Sequence, residues 1–157
     1  MSDSAVPPSS AWSEAPLAQR FRSVRAPSFA LAAPLSGEDA MVQSMPDASP
    51  AKWHLAHTTW FFERFVLSAI PGYTPVDGSW DYLFNSYYNS VGPRHARARR
   101  GVLSRPSLSQ VLAYRERIDE RLGKRLEAGD LEPEQCELVL LGTHHEQQHQ
   151  EVLLTDI

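Results

Sequence analysis

Apolar positions recur at helical spacing in four separate segments of this chain. From Glu14, the positions Leu17, Phe21, Val24, Leu31 and Leu35 mark a first helix, and Pro27 predicts a kink or a late start in it. Ser36-Gly37 and Met45-Pro46-Asp47 read as turns. A second helix opens with Ser49 as N-cap and Pro50 at the first helical position, and runs to about Ala69, before Pro71-Gly72. Trp53, His57, Trp60 and Phe61 share one face of it, with His54 and Glu63 off that line. A third helix begins near Ser107, which forms a capping box with Gln110. It carries Leu108, Val111, Ile118, Leu122 and Leu126 and ends at Ala128-Gly129-Asp130. The fourth starts at about Pro133 and is still running at Ile157, with Leu138, Leu141, His145, Gln148/His149 and Val152 as its buried stripe. Four amphipathic helices with one long connection between the second and third predict an all-α four-helix bundle.

That connection, residues 70–106, is longer than a compact domain ordinarily tolerates without a purpose. It carries Tyr73, Trp80, Tyr82, Phe84, Tyr87 and Tyr88, and then Arg94, His95, Arg97, Arg99, Arg100 and Arg105. Its aromatic density argues against disorder. We expect an ordered loop packed on the bundle and presenting arginines. Guanidinium groups bind carboxylates as bidentate forks, so arginines beside a pocket suit a small acidic substrate.

The chemistry concentrates in the fourth helix, in Thr143-His144-His145-Glu146-Gln147-Gln148-His149-Gln150-Glu151. His145 and His149 are one helical turn apart and stack on one face, where a bundle helix would carry leucine. His57 sits on the apolar face of the second helix. Three neutral imidazoles converging in a bundle core would hold a metal ion and leave coordination positions open, which a catalytic metal requires. Spacing alone does not choose among zinc, iron, nickel and manganese. The same stretch reads as H-E-x-x-H, the metalloprotease signature in which the glutamate is the general base. Those proteases take a further ligand downstream, and no histidine follows His149.

Composition narrows the class. The chain has 157 residues, 42% hydrophobic and 22% charged, enough for one domain with a proper core. A net charge of −4 disfavours nucleic acid as a partner. No apolar run approaches a membrane span, and the N-terminus lacks the features of a secretory signal. The single cysteine, Cys136, excludes an internal disulfide and fits a packing role in a reducing cytoplasm. Residues 1–13, rich in Ser, Pro and Ala, are expected to be a loose tail before a helical metal-binding domain over 14–157.

Several blocks resemble a known family. Ser49-Pro50-Ala51-Lys52-Trp53-His54-Leu55-Ala56-His57-Thr58-Thr59-Trp60-Phe61-Phe62-Glu63 is similar to the N-terminal signature of the ergothioneine-biosynthesis sulfoxide synthases of the EgtB type. So are Phe84-Asn85-Ser86-Tyr87-Tyr88, Gly92-Pro93-Arg94-His95-Ala96-Arg97 and the His144–Glu151 block. The resemblance is to the DinB-like helical half of those enzymes and implies the following. A mononuclear non-haem Fe(2+) would be held by His57, His145 and His149. Dioxygen would be used to join a cysteine-type thiol, gamma-glutamylcysteine or cysteine, to hercynine as a sulfoxide. Arg94 and Arg97 would bind the thiol donor's carboxylates, and Gln148 would contact hercynine. The family's catalytic tyrosine lies in a C-terminal domain resembling the formylglycine-generating enzyme. Nothing in this sequence corresponds to that domain, so no catalytic residue of the chain itself is implied. We expect a truncated chain whose second domain is supplied in cis or in trans. The rival readings are a DinB-like thiol-dependent transferase or metal hydrolase, and a non-catalytic metal-binding module.

Overall fold

A computed structural model gives the architecture and describes residues 14–157. The tail expected over residues 1–13 lies outside the described residues. In chain order the helices are α1 (Glu14–Ala32), α2 (Ala51–Phe65), a short α3 (Trp80–Phe84), α4 (Leu108–Ala128) and α5 (Pro133–Asp156). The four long ones form the bundle. Turns of 3-10 helix at Asp39–Met41, Leu67–Ala69 and Arg97–Val102 complete it, and the described residues include no strand. Both α1 and α2 pack against α4 and α5, so α1 and α2 face each other across the bundle diagonal.

The local signals act where the sequence placed them, with three differences. The first is in α1, which passes through Pro27 as one continuous helix. Pro27 faces solvent, while Leu17, Phe21, Val24, Ser28 and Ala32 form the buried stripe. Second, Pro50 rather than Ser49 is the N-cap of α2. The Ser49 hydroxyl instead accepts a hydrogen bond from Arg100 at 2.9 Å, and so it is not free to cap. The helix also ends at Phe65 instead of running to Ala69, where a separate 3-10 turn takes over. Third, the buried stripe of α5 is Val139, Gly142, Thr143, Glu146 and Leu153, one position away from the expected Leu138, Leu141, Val152 register. Leu141 and Val152 are exposed. The reason is steric and electrostatic. Gly142 lets α5 approach α2 so closely that a Cβ there would overlap the Phe62 ring, and Glu146 finds partners in the core.

The capping box of α4 is present: Gln110 N donates to Ser107 Oγ and Ser107 N to Gln110 Oε1. Gly129 closes the helix in the left-handed region, φ 69°, a conformation glycine takes at little cost. In α5, Glu132 and Gln135 form a second box, with Pro133 in the first turn.

Helix α2 is the centre of the fold. Every residue from Ala51 to Glu63 is buried, so His54 and Glu63 are enclosed along with the apolar face. The 70–106 segment covers α2 and is ordered by it. Trp53 Nε1 donates to the Leu83 carbonyl, Trp60 Nε1 to Asp81, and Glu63 accepts from Tyr73 Oη, Val76 N and Tyr114 Oη. Cys136 sits half-buried against the core.

Candidate metal centre

Beneath the site, three helices meet on one buried carboxylate, and α2 joins them through the arginines. Glu146 of α5 is fully enclosed and accepts from Arg25 Nη1 at 2.6 Å, Arg115 Nη2 at 2.9 Å and Ser28 Oγ at 2.5 Å. Arg25 also donates to Asp119 and to Thr59, and Arg115 to Thr58 and the Leu55 carbonyl. Burial alone would raise the Glu146 pKa, but Arg115 and Arg25 outweigh it and hold the carboxyl at about 2. Burial opposes the charge of both arginines. Arg25, facing two carboxylates, ends above its ordinary value, whereas Arg115, which shares Glu146 with Arg25, ends below. The cluster fixes the rotation of α5, and with it the direction of the residues one position before and three after Glu146.

Those residues are His145 and His149. His57 of α2 completes the group: one ring nitrogen from each of the three lies within 4.8 Å of the others. The ring centroids are 4.9 Å apart for His57 and His145, 4.7 Å for His57 and His149, and 4.6 Å for His145 and His149. Trp53 stacks on His57 at 4.5 Å, and Phe61 packs on His145. His57 Nδ1 lies 2.6 Å from the Phe84 carbonyl, which can only accept, so Nδ1 carries the proton and Nε2 presents its lone pair. That Nε2 faces His145 Nε2 at 3.1 Å. Burial is the main cause that lowers all three pKa values: His145 to about 4, His149 to about 2, and His57 well below its ordinary value. For His57 and His149 the neighbouring rings add to the effect. At neutral pH these are neutral imidazoles with lone pairs converging on one point. Such a donor set fits a metal ion.

The cluster opens into a cavity of about 450 Å³. Gln148, Val152, Tyr87, Tyr88, Arg97 and Arg100 line it beside the histidines. Arg97 lies over the Tyr87 ring. Arg94 is outside this lining and donates to Asn89. Arg100, singled out in the sequence only as one of a run, is the buried arginine of the wall. It lies 3.4 Å from the centroid of Trp53, donates to Ser49 and Ser86, and leaves Nε without a partner. Burial, with Arg97 and Arg94 nearby, lowers its pKa to about 9. The cavity therefore joins an imidazole cluster at one end to unneutralised guanidinium groups on its wall.

Two further site residues escaped the sequence reading. His54 Nδ1 lies 2.9 Å from His149 Nδ1, and His54 Nε2 lies 3.0 Å from Asp156 Oδ2. His54 stands three positions before His57, and only the enclosure of α2 on both faces would have drawn attention to it. Glu146 of the H-E-x-x-H pattern points into the core arginines and is occupied there, leaving it no part as a base beside a metal.

An all-α bundle with a three-histidine cluster that could hold a metal ion, opening into a cavity lined by aromatic and charged side chains, defines the class of this protein. The DinB superfamily model matches residues 20–153, and the chain belongs to that superfamily. Comparison with curated proteins returned no match. Among the described residues no helix is long and apolar enough to cross a membrane.

Proposed function

We propose that this chain supplies the iron-binding domain for oxidative carbon–sulfur bond formation between hercynine and a cysteine-type thiol, gamma-glutamylcysteine or cysteine, in ergothioneine biosynthesis. The observation that carries this reading is the cavity itself: three neutral histidines at one end and arginines on its wall, formed by the segments that resemble the sulfoxide synthases. In the balanced reaction one dioxygen is consumed. The imidazole C–H and the thiol S–H give a C–S bond, one oxygen atom stays on sulfur, and the other leaves as water.

Bound ferrous iron would supply dioxygen activation at His57, His145 and His149. The protein residues do the rest. Arg97, with Arg100 behind it, would orient the carboxylates of the thiol donor by charge-assisted hydrogen bonds. Gln148 would hold the hercynine side of the cavity. Trp53 and Phe61 exclude water from the buried side of the imidazoles. Positioning both organic partners in one cavity makes their joining effectively unimolecular. Arg94 would serve by turning from Asn89 toward the donor. The catalytic tyrosine of the resembled family would come from a second domain in cis or in trans.

An all-imidazole donor set also suits zinc, which favours the thiol-transferase or hydrolase reading as the rival. Oxygen uptake and mass-spectrometric detection of the sulfoxide, with the iron-loaded chain, hercynine and either thiol, separate the two. They are measured with and without a formylglycine-generating-enzyme-like domain added. Sulfoxide formed with iron and not with zinc supports the proposal. Weak binding of both hercynine and the thiols, with no oxygen uptake under any of these conditions, contradicts it.

A further inference from the structure

His149 is the only histidine of the triad whose second ring nitrogen meets another imidazole. The Phe84 carbonyl takes the Nδ1 proton of His57, and His145 Nδ1 is buried without a partner. His149 Nδ1 faces His54 Nδ1, and His54 Nε2 faces Asp156 Oδ2. The same carboxylate oxygen accepts the backbone N–H of Ser49 at 2.8 Å. Water has little access to the middle of this row, where His54 is 3% exposed.

We infer that Asp156 and His54 form a positioning relay that sets the tautomer of His149, leaving its Nε2 free as the metal ligand. The direction follows from proton counting. A carboxylate oxygen already receiving an N–H only accepts, so His54 Nε2 carries the His54 proton. The His54 Nδ1 lone pair then accepts from His149, and the His149 proton must sit on Nδ1. Metal-ligating histidines ordinarily give this proton to a carboxylate, carbonyl or water. Here a second histidine stands between ligand and carboxylate and ties the start of α2, through Ser49, to the last turn of α5. His54 and Asp156 both line the cavity beside His149, and in the relay they act through its ring. They orient the ring that does the ligating.

The inference rests on the metal reading of the triad, and the tests separate the two. Long-range ¹H–¹⁵N correlation of the histidine rings in the metal-free chain, near neutral pH, reads the tautomer directly. A proton on His149 Nδ1 is expected, and a proton on its Nε2 overturns the relay. Zinc affinity is then measured by competition with a chromophoric chelator. His54→Leu removes the acceptor and should weaken zinc binding roughly 10–100-fold. His54→Asn returns an acceptor oxygen near the Nδ1 position and should recover most of that loss, which a purely structural role would not require. Asp156→Asn should leave the His149 tautomer in place, because both donors meet one oxygen that an amide oxygen can replace. Unchanged affinity in His54→Leu, or no recovery in His54→Asn, overturns the relay. Should His54→Leu fail to fold, the tautomer of the parent and the affinity of His54→Asn still decide. A parent chain that takes up no zinc overturns the metal reading beneath it.

Discussion

Replacing Glu146 with glutamine tests how the site is built. The side chain is fully enclosed, with two arginines and a serine on its oxygens. The amide keeps the shape and removes the charge, leaving Arg25 and Arg115 facing each other with only Asp119 to offset them. Breaking a buried ion pair from one side costs roughly 3–5 kcal/mol, because the remaining charge stays desolvated. For a chain of this size that lowers the thermal midpoint by roughly 6–20 °C. Circular dichroism during heating, together with urea unfolding, measures it. The metalloprotease pattern makes the opposite forecast: a catalytic base changed to its amide leaves stability nearly intact. Glu146→Gln with the thermal midpoint of the parent would refute the role of this carboxylate as the anchor of the core.

Other outcomes follow from the same packing. Gly142→Ala pushes a methyl into the Phe62 ring and should destabilise by about 1–3 kcal/mol in urea unfolding. Ser107→Ala removes one half of the α4 capping box and should cost about 1 kcal/mol by the same measurement. Acid should weaken the metal-free chain in two stages. The folded triad holds its histidines below their ordinary value of 6.5, so the unfolded chain binds protons first and stability falls as pH drops below about 6.5, toward about 4 for His145 and about 2 for His149. Glu146, held at about 2 against an ordinary 4.5, adds stability above pH 4.5 that is lost as pH falls toward 2. Denaturant midpoints across this range give the slope, and a flat profile between pH 6.5 and 4 contradicts the neutral-imidazole description.

The four helices were legible because their ends are local chemistry. Ser107 with Gln110, Gly129 and Pro133 act within one turn of themselves. Ser49 misled for the converse reason, since its hydroxyl is claimed by Arg100, 51 positions away. The α5 register slipped by one because periodicity counts Leu141 and Val152 as core and Glu146 as surface. A pair of arginines from two other helices reverses that order. The three-histidine cluster was visible from spacing, whereas its setting was not. His54, Asp156 and the buried face of Arg100 depend on α2 being enclosed on all sides, which follows from how the 70–106 segment folds back over it.

Metal content decides the central claim. The chain is purified anaerobically, titrated with ferrous iron, and compared with His149→Ala. One equivalent held by the parent and a large loss of affinity in the variant are expected. A variant that binds iron as tightly as the parent would remove the three-histidine centre from this protein.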